Sequence, residues 1–296
     1  MTVHQGQTEA PESPAPMQPP AEPSTSVYSE SPSMFPQVAE EVTNSVEKDG
    51  ISYVLECRSL TAVVRYVYTP LEGNLSDIEL EINNADPIKI SEDGGVTIEM
   101  GGTEWAASNE SVERHFVSCE LVDDCVEARW QWKRGEELAD LLFRISVRGK
   151  SLVFEIEGGS GKATGVDLGY VSGAIQPRLL RVPYFNVGSE DSSILCSSGV
   201  FVSSFLDWFY TASSGFGGPT PTADARELRL TSGCVYQPAS DGKRNNLRER
   251  WILTVSRQFE EVLPSIPKPA IPADHSASGS SSGTTSPTWN PWPRPM

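Results

Sequence analysis

The sequence predicts an all-β protein, a large antiparallel β-sandwich with a disordered arm before it and a disordered tail after it. Three observations predict this fold. Apolar and polar residues alternate with period two in many short runs between Ile51 and Val255, and amphipathic helices of ten residues are nearly absent. Turn residues separate the runs. Strands without helical crossovers form antiparallel sheets that pack face to face, in a sandwich or barrel.

The first 48 residues form the predicted arm. Met1–Pro36 holds eight prolines among Ser, Glu, Gln and Thr, and this composition buries too little apolar surface to offset the entropy of ordering. Gln37–Asp49 fits either a short helix or a lead-in strand. The predicted division is therefore an arm over 1–48, a β-sandwich domain over 49–269 and a Ser/Gly/Thr-rich tail over 270–296.

The first half of the domain reads as successive strands rich in β-branched and aromatic residues. The last three long strands of this half are joined by connections of only a few residues, so we expect them to form a meander. Trp130 and Trp132 alternate with Arg129, Gln131 and Lys133 along one strand. Large aromatic residues are mostly buried, so we expect the two tryptophans in the core.

The second half, from Gly158 onward, alternates glycines and small residues with aromatic residues, a texture typical of strands that bend or approach one another closely. Residues 215–227 form a long polar segment and are expected on the surface. Strands resume over 229–236 and 247–255.

Composition excludes several classes of function. The 23 basic residues are outnumbered by 40 acidic ones, and the formal charge of −17 argues against a nucleic-acid partner. Five cysteines without metal-ligand spacing predict thiols rather than a disulfide framework or a metal site. The segment GGSGKATG is not a Walker A loop, because Ala163 follows Lys162, and we expect no cofactor. With neither a signal peptide nor a membrane span in the sequence, a cytoplasmic location is the default expectation.

The candidates for catalysis are few. His115 is the one histidine inside the predicted domain, which disfavours Ser/His/Asp hydrolysis. Among the carboxylates, Asp207 and Glu249 lie beside aromatic and basic residues and are weak candidates for an acid and base pair. The favoured alternative is that both are structural partners of Arg181, Arg244, Arg248 or Arg250, since ion-pair networks also cluster charge.

Aromatic and planar polar residues of the second half have the composition of a sugar-binding surface. Aromatic faces take the apolar side of a pyranose, while amides, carboxylates and guanidinium groups pair with hydroxyls. An interface with another protein domain would have a similar composition. The predicted carbohydrate-binding residues are Arg181, Tyr184, Asp207, Trp208, Tyr210, Tyr236, Asp241, Lys243, Arg244 and Asn245.

Three segments carry a resemblance to a known family: LRVPYF (180–185), GVFVSSFLDWFYTASSGF (199–216) and YQPASDGKRNNLRERWILTVSRQFEEVLPSIPKP (236–269). They resemble the closing half of the galactose-mutarotase-like, or supersandwich, β-sandwich that precedes the catalytic barrel of certain glycoside-hydrolase-like proteins. The resemblance implies that catalytic residues belong to the barrel, and the sequence after Pro269 does not read as one. It also implies that sugar epimerisation uses a Glu with histidines, a set that His115 alone does not supply.

Three functions remain open at this point. The first is a non-catalytic, carbohydrate-associated module, either a truncated or a stand-alone amino-terminal domain of a glycosidase-like protein. The second is an active sugar enzyme, a glycoside hydrolase or mutarotase, that uses Asp207 or Glu249. The third is a structural domain that binds a protein partner, such as a catalytic barrel.

Overall fold

A computed structural model describes residues 34–106, 108–187, 190–217 and 228–265, except for the side chains of residues 183–192. These residues form an all-β, sandwich-like fold of antiparallel sheets, as the sequence predicts. The predicted arm up to residue 33, the tail from residue 266 and most of the polar segment 215–227 lie outside the described residues.

The first sheet has four strands in sequential order. They are β1 (Thr43–Asp49), β2 (Ser52–Arg58), β3 (Val63–Tyr68) and β4 (Ile78–Ile82). Of the two alternatives for Gln37–Asp49, the structure has the lead-in strand, because β1 pairs with β2 over seven residues. The described fold therefore begins before residue 49, which is the residue predicted as the start of the β-sandwich domain.

A five-stranded sheet and a two-stranded ribbon contain the shorter strands. They are β5 (Lys89–Glu92), β6 (Gly95–Met100), β7 (Thr103–Trp105), β12 (Ala163–Asp167), β13 (Tyr170–Ser172), β17 (Gly215–Phe216) and β18 (Gly233–Val235). The sheet has the order β17-β18-β12-β6-β7, and β13 pairs with β5.

The largest sheet has eight strands and carries the candidate site. Its strands are β8 (Glu113–Val122), β9 (Cys125–Arg134), β10 (Glu137–Arg148), β11 (Ser151–Gly158), β14 (Arg178–Val187), β15 (Glu190–Ser197), β16 (Val200–Leu206) and β19 (Leu247–Ser256). The order β14-β15-β16-β19-β11-β10-β9-β8 confirms the predicted meander, which in the structure has four strands, β8 to β11. It also places β19 between β16 and β11, a long-range pairing.

The main core is built from buried residues of the four-stranded, five-stranded and eight-stranded sheets. Trp130 and Trp132 are 2% and 0% exposed, which confirms the predicted core position of both. The Tyr66 hydroxyl of the four-stranded sheet lies 2.7 and 3.2 Å from the Lys150 and Leu253 carbonyl oxygens and donates its one proton to this pair of acceptors. A buried hydroxyl thus satisfies its donor between the four-stranded and eight-stranded sheets.

A second apolar cluster covers the outward face of the eight-stranded sheet near β16 and β19. Its buried members are Met34, Val182, Ile194, Phe205, Ile252 and Val262. Ile252 alternates along β19 with Trp251 and Leu253, which belong to the main core. The segment around Met34 and the short 3-10 helix Phe259–Val262 therefore shield a sheet face that the main core does not reach.

The five cysteines are all free thiols, as predicted. Cys57 and Cys234 are buried and the other three are half-buried. Burial raises the pKa of Cys57 to about 11, so this thiol is protonated and unreactive at neutral pH.

Candidate functional site

The two carboxylates considered for catalysis occupy opposite sides of the eight-stranded sheet. Asp207 is fully buried, and its Oδ2 accepts from Arg250 Nη1 at 3.0 Å. Arg250 in turn pairs with Glu155 at 2.7 Å on the outward face. The ion pair with Arg250 is one of the structural partnerships that the sequence favoured for Asp207.

Glu249 differs from that expectation. Its side chain points to the core side of β19, where Oε1 accepts from the hydroxyls of Tyr236 and Thr211 at 2.5 and 2.8 Å. The predicted arginine partner is wrong for Glu249, because adjacent strand residues point to opposite faces and Arg248 and Arg250 therefore lie on the other side. Burial raises the pKa of Glu249, although the two hydroxyls oppose the shift.

An acid and base pair for glycoside hydrolysis must flank one glycosidic bond from two positions around the substrate. Asp207 is held in an ion pair on the outward side, and Glu249 is enclosed on the core side with a fully buried side chain. The two groups lie on opposite faces of the sheet, so this geometry does not present them to a common substrate.

The aromatic members of the predicted sugar-binding set are also partly enclosed. Tyr236 is 2% exposed. The pKa of its hydroxyl is raised mainly by burial and, to a smaller extent, by the charge of Glu249. The Trp208 ring packs 5.9 Å from Phe216 at the second cluster. The Tyr184 side chain lies outside the described part of the chain. Burial therefore removes the Tyr236 ring from any surface on which a ligand could stack.

Tyr210 remains at the surface but is stacked within the protein. Its half-buried ring lies between the guanidinium groups of Arg248 and Arg250, at 4.3 and 4.0 Å from the ring centroid. Its hydroxyl donates to Glu157 Oε1 at 3.3 Å. These contacts fix the orientation of Arg248 on the outward face of β19.

The basic segment before β19 closes the rim of the sandwich. Arg244 Nε donates to the Tyr236 carbonyl at 3.0 Å, and Nη2 to Glu99 at 2.6 Å. Asn245 Nδ2 donates to the Ala212 carbonyl at 2.9 Å. Asp241 and Lys243 are exposed in the same turn, whereas Arg181 lies on β14, which is on the far side of β19 in the sheet.

A groove crosses the outward face of the eight-stranded sheet beside this rim. One part, of about 530 Å³, is lined by Ala212, Asn245, Asn246 and Arg248. The other part, of about 470 Å³, is lined by Val117, Arg129, Gln131, Asp140 and Leu142. Both parts share Glu157, Gly158 and Gly159. We call the two parts together the transverse groove.

Two glycines, Gly158 and Gly159, line both parts of the groove. A Cβ at Gly158 would come within 2.9 Å of Leu141 Cδ2, so a glycine there allows the neighbouring strands to pack closely. A Cβ at Gly159 would meet no atom within 4 Å. Gly159 therefore opens directly to the space that the two parts share.

The polar side chains of the groove already have partners in the protein. Glu157 Oε1 accepts from Arg144 Nη1 at 2.9 Å, and Asp140 accepts from Gln131 Nε2 at 3.0 Å. These contacts hold the carboxylates in place while leaving oxygen lone pairs for further donors. The groove can therefore offer oriented acceptors and amide groups to a polar ligand.

Of the predicted carbohydrate-binding residues, Asn245 lines the transverse groove. Tyr210 does not line it but contacts two residues that do, Arg248 and Glu157. Gln131, Asp140, Glu157 and Gly159 were missed, because the groove also needs β19, which is far from β9–β11 in the chain but lies next to β11 in the sheet. The Gly158-Gly159 pair after a long alternating strand was a visible signal, but it did not reveal which strands lie on either side.

A buried cluster on the turn between β10 and β11 was also missed. Lys150 is 2% exposed, and its Nζ contacts Glu40 Oε1 and Glu261 Oε2 and donates to Ser256 Oγ at 3.2 Å. The hydrogen bond from Lys150 lowers the pKa of Glu40 to about 2. The cluster ties the segment before β1 to the 3-10 helix after β19.

No protein-family model and no curated protein matches the chain. Within the described residues, no group of three or more His, Cys, Asp or Glu side chains could hold a metal ion. None of the helices in those same ranges is long and apolar enough to cross a membrane.

Proposed function

We propose that this domain is a non-catalytic, carbohydrate-associated β-sandwich module, of the supersandwich type found before the barrel of glycoside-hydrolase-like proteins. The transverse groove is the observation that carries the proposal. It combines amides, carboxylates and guanidinium groups with the apolar side chains of Val117 and Leu142. These are the groups that hydrogen-bond sugar hydroxyls and contact the apolar edges of pyranose rings.

The structural roles of Asp207 and Glu249 support the non-catalytic part. A general acid or nucleophile must reach the substrate, whereas these two carboxyl groups are both fully buried and hydrogen-bonded within the protein. Removing either charge is therefore expected to change stability rather than to abolish a reaction.

Binding to a glycan array by the wild type and by Asn245→Ala tests the proposal. Asn245 is exposed at one end of the groove, and Lys243→Ala in the same turn is the matched control, since Lys243 does not line the groove. We expect glycan binding that Asn245→Ala weakens and Lys243→Ala retains. Absence of binding to every glycan would overturn carbohydrate recognition.

A panel of aryl glycosides and aldoses tests the enzyme alternative. The proposal predicts no turnover by the wild type. Turnover that Asp207→Asn or Glu249→Gln abolishes, in variants that keep the wild-type circular dichroism spectrum, would contradict the non-catalytic assignment.

A second candidate function, protein-partner binding, is favoured by the outer edge of the eight-stranded sheet. Phe116 and Val117 on β8 are 50% and 59% exposed, and the pairing of β8 with β9 shifts register between Phe116 and Ser118. Exposed apolar residues on a sheet edge are typical of interaction surfaces. Co-purification of a barrel-containing protein with the wild type but not with Val117→Asp would favour this function.

A further inference from the structure

We infer that the transverse groove selects neutral oligosaccharide chains of several rings and discriminates against single sugars and against acidic polysaccharides. The inference rests on the proposed carbohydrate function and adds the class of ligand. It follows from the direction of the groove across the strands and from the balance of its charges.

The length of the groove comes from the strand register. Glu157 pairs with Arg248 on β19 and with Leu142 on β10, and Leu142 pairs with Arg129 on β9. Val117 on β8 completes the lining at the far end. The row thus crosses five strands, or four inter-strand steps of about 4.8 Å, which is about 19 Å in all.

That length fits a chain better than one ring. A single pyranose ring spans little more than one inter-strand step, so it would fill either part of the groove and leave the other empty. Gly159 lies where the two parts meet and leaves the passage between them open. A linear oligosaccharide can therefore lie across β11 and contact both parts at once, and each additional ring adds contacts.

The charge of the groove points to neutral chains. Arg129 and Arg248 are balanced by Asp140 and Glu157. Each arginine is also engaged within the protein: Arg129 Nη2 lies 3.4 Å from Glu127, and Arg248 stacks on Tyr210. Because the cations are compensated locally and the chain carries −17 overall, a polyanion gains no net attraction here. Hydroxyl groups bring no charge that must be neutralised.

A test follows from the open environment of Gly159. Gly159→Trp places a large side chain where the two parts of the groove join, and no atom lies within 4 Å of its Cβ, so the fold should tolerate it. The matched control is Ser160→Trp, because Ser160 is exposed and adjacent in sequence but lines neither part.

The experiment is isothermal titration of both variants and the wild type. The probes are gluco-, manno-, xylo- and galacto-oligosaccharides of one to six units, with oligogalacturonides of the same lengths as anionic counterparts. We expect one neutral series to bind the wild type with affinity that rises by at least about tenfold between one and four units. Gly159→Trp should lose about tenfold or more for the long chains, while Ser160→Trp should match the wild type.

Two results would overturn the inference and leave carbohydrate binding intact. One is tighter or equal binding of oligogalacturonides, and the other is equal binding of a single unit and a four-unit chain. Retained long-chain affinity in Gly159→Trp would also overturn it, by placing the ligand elsewhere. If no sugar of any class bound the wild type, the proposed function itself would fall.

Discussion

Replacement of Lys150 by methionine should unfold the protein at a much lower denaturant concentration. Methionine keeps the apolar stem of the side chain but removes the ammonium group that contacts Glu40 and Glu261. Glu261 is 2% exposed, so its carboxylate would lose its cation without gaining water. Removing one partner of a buried ion pair costs about 3–5 kcal/mol.

That cost is a large share of the stability of an ordinary domain, about 5–15 kcal/mol. With a urea m-value of about 2–3 kcal/mol/M, the unfolding midpoint of Lys150→Met should fall by about 1–2.5 M. The assay is equilibrium urea unfolding followed by tryptophan fluorescence, at pH 7 and constant ionic strength. An unchanged m-value would show that the substitution lowers the free energy of unfolding without changing the compactness of the denatured state.

A rescue variant separates charge from packing. In the triple variant Lys150→Met/Glu40→Gln/Glu261→Gln, no charge remains in the cluster, so most of the lost stability should return. If Lys150→Met cost less than about 1 kcal/mol, or if the triple variant were no more stable than the single one, the charged contacts of Lys150 would not stabilise the fold and the prediction would be refuted.

Three further predictions concern stability. The pKa of Glu40 is lowered to about 2 in the folded protein, from about 4.5 in the unfolded chain. The stabilising effect of the Glu40 carboxylate is therefore complete above pH 4.5 and is lost as the pH falls toward 2. In acid titrations, the difference in unfolding free energy between wild type and Glu40→Gln should shrink over that range. Gly233→Ala places a Cβ 1.9 Å from a carbonyl oxygen and should cost about 3 kcal/mol or more by urea unfolding, whereas Gly217→Ala, also at positive φ but without a clash, should cost about 1 kcal/mol. Tyr236→Phe leaves buried Glu249 with one hydroxyl donor fewer at Oε1 and should cost about 1–3 kcal/mol in thermal unfolding; no loss would contradict the hydrogen bond.

Period-two alternation and short connections were sufficient to predict the meander, because its strands are neighbours both in sequence and in space. The same alternation placed Trp130 and Trp132 in the core and could have placed Glu249 there too. Glu249 was interpreted by its sequence neighbours, Arg248 and Arg250, although neighbours along a strand point to opposite faces. Strand periodicity was the better guide at this position.

Long-range pairing accounts for what the sequence did not reveal. The transverse groove depends on β19 lying next to β11, and alternation within a strand carries no information about its partner. Met34 is fully buried because it contacts residues near the end of the domain, yet its own segment has the composition of a polar arm. Lys150 looked like an ordinary turn residue for the same reason.

The most direct test of the central claim is to map where a sugar chain binds. Two-dimensional ¹H–¹⁵N NMR of the full chain, titrated with the neutral oligosaccharide that binds best, reports every backbone amide at once. We expect the shift changes to concentrate on the amides of Glu157–Gly159, Asn245–Arg248 and Gln131. Saturable changes confined to residues outside the groove, or no change at millimolar sugar, would contradict it.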